Sequence, residues 1–315
     1  MAAAARLASR ARPSSRPNPG VGALLVREGR VLARGWTQTG GRPHAEAMAF
    51  EQFEGDATGA TLYVTLEPCA HQSSRGPACA DTIADVRPAR VVIGQHDPDP
   101  RTAGKGIERL RAAGIATEVL DDVSSATSLA GYLSAKRRGR PHVTLKLAIS
   151  LDGCIALADG TSQWITGEVS RAHVHAQRAR NDAILVGGAT WRADRPRLDV
   201  RLPGLEARSP QRFLLTRGVK PDGISIINRP DQISEMESMQ YLYVEGGSET
   251  AASFLKADLV DELHLYRAPI LIGDGLHGIG GLELADLASA HDRWTLTERR
   301  QLGSDEFTAY LRTRN

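Results

Sequence analysis

Four residues near the front of the chain have the types and spacing for metal-assisted hydrolysis. His44 and Glu46 stand two apart in GRPHAEAMAF, just after a Gly-Gly-Arg-Pro turn and at the head of an apolar helical run. Cys69 follows a β-branched strand that ends at Pro68, and Cys79 opens a later helical segment. One imidazole and two thiolates leave the fourth position of a tetrahedral zinc for water, the arrangement of a catalytic site rather than a structural one. Zinc brings the pKa of its bound water toward about 7. Glu46, two residues from the ligand histidine, would take that proton and return it to departing ammonia after attack on an amidine carbon. The expected chemistry is hydrolytic deamination. A structural zinc would want a fourth protein ligand, for which His71 is available, and that reading stays open.

These residues must be held by regular elements. MAAAARLASRA has a helix's alanine content and stops at RPSSRPNPG, where prolines forbid continuation. VGALLV and RVLARGW flank the turn REGR as a hairpin, and HAEAMAFEQF starts a helix near His44. TLYVTLEP and ARVVIGQHDP read as strands, CADTIADV and GIERLRAAGI as helices, and ATEVL as a short strand. Strands alternating with helices point to a three-layer α/β/α domain. A helical stretch from about Ser125 to Arg138 then ends in SAKRRGRPH, where Gly139 and Pro141 make a C-terminus and linker. Domains are therefore expected over 1–138 and 142–315. The second would hold the strands HVTLKLAIS, NDAILVGGAT, RFLLTR, MQYLYVEGG and ELHLYRAPIL, with EVSRAHVHAQRAR and SETAASFLKADLV as amphipathic helices. The stretch from Leu202 to Gln240 is the least regular.

Composition narrows the partners. The chain has 315 residues, enough for two cores. Lys plus Arg (39) nearly cancels Asp plus Glu (37), which gives no clustered basic excess for nucleic acid and favours a small-molecule partner. No apolar run approaches the ~20 residues of a membrane span, and the N-terminal stretch is too interrupted by arginine for a secretory signal. A cytoplasmic protein is expected. Three cysteines are too few for a disulfide framework; Cys154 reads as a buried, chemically silent residue. His173 and His175, two apart on a helix, face different ways and make no metal pair.

H-x-E, then P-C, then a second Cys is the signature of zinc-dependent nucleobase deaminases. Nine residues separate Cys69 from Cys79, where the commonest deaminases have two, and the insert carries His71 and Arg75, donors suited to phosphate. With RPNPGVGALLV before it and HDPDPRTAGKGIERLRAAGI after it, the first half resembles the deaminase half of the bifunctional riboflavin-biosynthesis deaminase/reductase family. VTLKLAISLDGCIALADGTSQWIT, AILVGGATWRADRPRLDVR, YVEGGSETAASFL and VDELHLYRAPILIG resemble its reductase domain, of dihydrofolate-reductase-like α/β fold.

The resemblance implies zinc held by His44, Cys69 and Cys79, a proton shuttle at Glu46, a pyrimidine contact at Asn18, and phosphate contacts at His71 and Arg75. The insert is one residue longer than the family's usual one. In the second half it implies NADPH contacts at Ala148, Trp164, Thr190, Asp194, Gly247 and Ser248. Substrate contacts would fall at Lys146, Ser162, Arg178, Leu198, Arg201 and Glu245. Gly246, Gly247 and Ser248 fit a strand-to-helix turn whose N–H groups receive a pyrophosphate. Were a strand to end at Thr216, Arg217 would be the nearest cation for a 2'-phosphate. Singly, each has an ordinary reading: Ser248 as an N-cap, Trp164 as core, Arg178 and Arg201 as solvated charges. The implied activity is deamination of 2,5-diamino-6-(5-phosphoribosylamino)pyrimidin-4-one followed by reduction of the ribosyl group to ribityl. The implied assembly is a homo-oligomer. Alternatives are a nucleobase or tRNA deaminase with an appended domain, a deaminase with a degenerate reductase domain, and a non-catalytic nucleotide-binding paralogue.

Overall fold

The computed structural model describes residues 1–71, 74–284 and 286–314, which form two compact units, Met1–Gly139 and Arg140–Asn315. The first unit runs α1 (Ala2–Ala8), β1 (Gly22–Arg27), β2 (Arg30–Trp36), α2 (Ala45–Glu51), β3 (Thr61–Val64), α3 (Cys79–Val86), β4 (Arg90–Ile93), α4 (Lys105–Ala112), β5 (Ala116–Val119), α5 (Val123–Ser128) and α6 (Ala130–Arg138). Its sheet has the order β2-β1-β3-β4-β5. The β1–β2 hairpin and the β1–β3 pair are antiparallel, and β3, β4 and β5 run parallel. Helices α1 and α5 pack together, as do α2, α3 and α4, giving the expected three layers. Leu25, Leu62 and Ile93 of the sheet and Ile83 and Leu110 of the helices fill its core.

Two glycines let helices approach the sheet closely enough to set the metal residues. A Cβ at Gly35 in β2 would overlap the carbonyl of Ala45, so α2, with His44 at its N-cap, lies against the strand backbone. A Cβ at Gly106 in α4 would overlap the carbonyl of Pro68, the residue before Cys69. The same junction is fastened by Glu67. Its buried carboxylate accepts from the backbone N–H of Gly104 (3.1 Å), Gly106 (3.1 Å) and Ile107 (3.3 Å) at the start of α4, where the helix dipole favours negative charge.

The second unit runs β6 (His142–Ile149), β7 (Cys154–Ala156), α7 (Glu168–Arg178), β8 (Ala183–Gly187), α8 (Gly188–Asp194), β9 (Gln211–Leu215), β10 (Ser225–Ile227), β11 (Tyr241–Val244), α9 (Ser248–Lys256), β12 (Glu262–Arg267), β13 (Leu276–His277), β14 (Trp294–Leu302) and β15 (Asp305–Arg312). Its main sheet has the order β10-β9-β8-β11-β6-β12-β15-β14, parallel except where β15 pairs antiparallel with β12 and β14. Because strand side chains alternate, Val143, Leu145, Leu242 and Val244 meet Phe254 of α9 on one face. Tyr243, Tyr266 and Phe307 meet Val174 of α7 on the other. The fold class matches the sequence expectation in both units.

Local departures are informative. The expected helix over Ser125–Arg138 is two helices, divided at Leu129 (φ −99°, ψ 5°). NDAILVGGAT is strand only to Gly187, after which α8 begins. The sequence reading passed over β7, β10, β13 and the β14–β15 hairpin. The hairpin's signals were the alternation in DEFTAYLR and the turn at Gly303 (φ 66°), but β14 carries a charged, exposed run that hides its periodicity. Cys154 is fully buried in β7, and among the described residues all three cysteines are free thiols.

Candidate active sites

His44 stands at the N-cap of α2 in extended conformation, Cys69 just past the end of β3, and Cys79 at the first position of α3. Three element ends thus converge. His44 Nδ1 lies 3.2 Å from Cys79 Sγ and 3.6 Å from Cys69 Sγ, and the backbone N–H of Cys79 donates to Cys69 Sγ at 3.3 Å. The three ligand atoms all fall within 4.8 Å of one another, and they form the one such metal-binding group among the described residues. That atom set suits zinc with an open fourth position. Since His71 is not in the cluster, the four-ligand structural reading loses its fourth donor.

Glu46 projects from the first turn of α2 and is 3 % exposed. Burial pushes its carboxyl above the usual carboxylate range, partly offset by His44. The two thiols polarise one another. A hydrogen bond from Cys79 holds Cys69 down as the thiolate and correspondingly pushes Cys79 up, with its burial adding to the rise. A dication among them would draw both to thiolates.

The loop residues sit around this centre. Asn18's side chain lies against Gly41 (φ 85°), three residues before His44. Arg75 donates to the carbonyl of Gly40 at 2.8 Å, and Arg42 to that of Pro77 at 3.3 Å, so the arm before His44 and the arm before Cys79 are tied together. The ring of His71 has its Nδ1 buried without a hydrogen-bond partner. Gln72 and Ser73 of the insert lie outside the described residues. Arg42 was missed in the sequence; its only signal was its place two before His44.

In the second unit a cavity of about 1250 Å³ opens at the ends of β6, β8 and β11. Lys146, Ala148, Ser162, Trp164, Arg178, Thr190, Asp194, Leu198, Arg201, Glu245, Gly247 and Ser248 all line it, so every second-half site residue expected from the sequence meets in one place. Arg217 lines it too, two residues beyond Leu215, where β9 ends one residue short of the expected Thr216. Trp164 is 66 % exposed and is therefore not core; Arg171 stacks over its ring at 4.8 Å. Arg178 is not a solvated charge either. Its Nε and Nη2 donate to the two oxygens of Glu245 at 2.6 and 3.0 Å, and Lys146 Nζ lies 3.8 Å from Glu245 Oε2. Burial alone would raise the Glu245 carboxyl, but Arg178 and then Lys146 bring it to about 2, while burial lowers Lys146. His175, which the sequence reading left aside, also lines the cavity and accepts from the backbone N–H of Arg201 at 3.2 Å through Nδ1.

Two helices begin at this cavity without a side-chain cap. Gly187 precedes α8 and Gly247 precedes α9, and neither helix start has a side chain accepting from its free N–H groups. Such starts attract anionic groups. At Gly247 a Cβ would come within 3.4 Å of Thr190 Oγ1, so the turn is narrow where a phosphate would lie.

Comparison with known proteins agrees in both halves. Residues 1–95 match the cytidine and deoxycytidylate deaminase zinc-binding region, and residues 141–306 match the RibD C-terminal domain. The riboflavin biosynthesis protein RibD of Escherichia coli is 34% identical, the match covering 97% of this chain and 96% of that one. RibD of Mycobacterium tuberculosis is 36% identical over 92% of this chain and 89% of its own. A Thermotoga maritima structure described as a diaminohydroxyphosphoribosylaminopyrimidine deaminase/5-amino-6-(5-phosphoribosylamino)uracil reductase superposes with TM-score 0.86 at 30% identity, covering 99% of this chain and 97% of that one. Acinetobacter baumannii RibD does so with TM-score 0.86 at 32% identity and the same coverage. With a metal-ready deaminase centre in one unit and a reductase cavity in the other, the chain belongs to the RibD family of bifunctional riboflavin-biosynthesis deaminase–reductases.

Proposed function

We propose that residues 1–138 hydrolyse the 2-amino group of 2,5-diamino-6-(5-phosphoribosylamino)pyrimidin-4-one and that residues 142–315 reduce the ribosyl group of the deaminated product to ribityl. The observation that carries this reading is the convergence of His44 Nδ1 and the two cysteine sulfurs within 4.8 Å, with Glu46 buried beside them. His44, Cys69 and Cys79 would hold zinc, which supplies Lewis acidity and an acidified water. Glu46 is not a ligand. Its buried, upward-shifted carboxyl suits a group that takes up a proton and gives it back within one turnover. Asn18 would contact the pyrimidine; His71 and Arg75 would meet the phosphate, for which a guanidinium offers paired donors.

In the reductase cavity NADPH would lie along the uncapped starts of α8 and α9, with Gly247 and Ser248 at the pyrophosphate, Thr190 and Asp194 beside it, and Ala148 and Trp164 toward the nicotinamide. The cofactor supplies the hydride, and the protein orients it. Lys146, Ser162, Arg178, Leu198, Arg201 and Glu245 would hold the substrate. Arg217 would face the 2'-phosphate and favour NADPH over NADH. The partner is a small pyrimidine ribonucleotide rather than nucleic acid, in keeping with the near-neutral charge. A cytoplasmic location suits three unbridged thiols, two of them wanted at a metal. A homo-oligomer belongs to the same reading through family membership.

One preparation tests the whole assignment. Elemental analysis should give one zinc per chain, and the same sample should release ammonia from the diaminopyrimidine nucleotide and oxidise NADPH with the deaminated nucleotide. Zinc-independent ammonia release would overturn the deaminase site. A failure to oxidise NADPH or NADH would overturn the reductase site and leave a deaminase with a degenerate second unit.

A further inference from the structure

Residues 195–205, between α8 and β9, form no strand, yet they carry Leu198 and Arg201, two of the residues assigned to the substrate. Part of this segment runs as a strand would. Leu198 and Val200 are each 2 % exposed and turn inward, while Asp199 and Arg201 turn outward, the alternation of an extended chain. Leu198 has φ 56°, a left-handed conformation that a residue other than glycine keeps only where its surroundings impose it. Its side chain is fixed among Ile184, Val186, Leu214 and Ile224. The main chain must be fixed as well, because its polar groups have no sheet to pair with and need other partners.

Helix α7 supplies those partners in place of a strand. His175 and Arg178 are three apart and share a face of the helix, whereas His173 turns to the Tyr266 hydroxyl at 2.9 Å. Arg178 Nη1 donates to the Asp199 carbonyl at 2.9 Å. His175 Nδ1 lies 3.1 Å from that carbonyl and 3.2 Å from the backbone nitrogen of Arg201. The carbonyl of one residue and the N–H of the second residue after it are the pair that a neighbouring parallel strand would engage. On the segment's other side the N–H of Val200 donates to Ser209 Oγ at 3.0 Å.

One ring nitrogen cannot both donate to Asp199 and accept from Arg201. The Asp199 carbonyl already has Arg178, and the N–H of Arg201 has no other acceptor among the described residues, so Nδ1 carries the lone pair and Nε2 the proton of a neutral ring. The surroundings favour that neutral form. Burial, then Arg178 on α7 and Arg201 on the segment, hold the His175 pKa below the usual histidine value. Glu245, just past β11, opposes them but is itself engaged by Arg178 and by Lys146 of β6. The Asp199 carboxylate is paired with Arg197 at 2.8 Å and reaches Arg201 Nε only at 3.5 Å. With its side chain half exposed and loosely held, Arg201 depends on its main chain for where it points.

We propose that His175 is a positioning residue of the reductase: its Nδ1 lone pair holds the Arg201 main chain and so aims the Arg201 guanidinium at the anionic end of the nucleotide. Protonation turns the same nitrogen into a donor, moves its bond to the Asp199 carbonyl and releases Arg201. His175 itself does not touch substrate. The inference rests on the reductase cavity assigned above.

The test is steady-state reduction of the deaminated nucleotide with NADPH by the full-length zinc-loaded enzyme. His175→Ala should raise KM for the nucleotide about tenfold, with kcat and KM for NADPH unchanged. His175→Asn, whose Oδ1 can accept in place of Nδ1, should restore it. In an Arg201→Ala background His175→Ala should add nothing, since the two act through one contact. As pH falls below 6.5, the wild-type KM should climb away from that of His175→Asn, whose amide does not titrate; the nucleotide's own phosphate titrates alike for both. Unchanged KM in His175→Ala, no recovery in His175→Asn, or a loss additive with Arg201→Ala would each overturn the proposal. So would parallel pH profiles for wild type and His175→Asn, a comparison that stands even where His175→Ala does not fold. The cavity assignment fails separately, if Arg201→Ala leaves KM for the nucleotide at the wild-type value.

Discussion

The two active centres are built on opposite plans. The deaminase centre is a knot of three ligand side chains from the starts of α2 and α3 and the loop after β3, closed within 4.8 Å, with buried Glu46 on the first turn of α2, and supported by the close approaches at Gly35 and Gly106. The reductase cavity, about 1250 Å³, takes its lining from β6 through the loops beyond β13, each contact one among many. A knot fails all at once when one group goes, whereas a broad cavity loses affinity in steps.

The sharpest break in the first plan is Glu46→Ala. Deamination should fall by about a thousandfold or more, while zinc content and reduction of supplied intermediate survive. Retained ammonia release would remove Glu46 from the shuttle role, and loss of metal would show that α2 itself had shifted. Next comes Cys79→Ser, expected to weaken zinc binding and deamination together, beside Cys154→Ser, which should spare both. Equal metal loss from the two, by elemental analysis, would refute the three-ligand set, because Cys154 lies in the second unit.

A third test concerns the second unit's stability rather than its cavity. Asp261 accepts from Arg140 at 2.6 and 3.0 Å and from Arg314 at 2.7 Å. Burial opposes its ionisation, yet Arg140 outweighs burial and its pKa falls from 3.8 to about 2. A carboxyl depressed on folding adds stability above its unfolded pKa and loses it as pH drops through the folded one. That contribution, about 2 kcal/mol at neutral pH, should fade between about pH 4 and pH 2. Thermal unfolding of Asp261→Asn should be flatter than wild type in that window; parallel curves would refute the assignment. The smallest effect is expected from Arg217→Ala, a roughly tenfold rise in KM for NADPH and little change for NADH. Steady-state kinetics with both cofactors decides it, and equal wild-type use of the two would end the NADPH preference.

The same contrast explains what the sequence disclosed. His44, Glu46, Cys69 and Cys79 are close in the chain, chemically rare together and match a known zinc-deaminase signature, so the metal centre was legible. Lys146, Arg178 and Glu245 are spread over three elements and look ordinary one by one; only resemblance joined them. Taken alone, Arg178 could equally be a surface charge, because nothing local announces that Glu245 waits across the sheet. Gly35 and Gly106 looked like any strand or helix glycine, since close backbone approach leaves no mark beyond the missing Cβ. The β14–β15 hairpin escaped because exposed arginines and glutamates mask its alternation.

That hairpin also sets a schedule. Strand β15 lies between β12 and β14, and its first residue, the buried Asp305, accepts from the backbone N–H of Gly167 at 2.7 Å where α7 begins. Sheet and helix α7 are thus completed by a segment that leaves the ribosome after residue 305, whereas the metal-binding unit closes with α6 near residue 138. A nascent chain would be able to fill its zinc site while its reductase half still lacked an interior strand, so the two activities mature in the order of the two steps they perform.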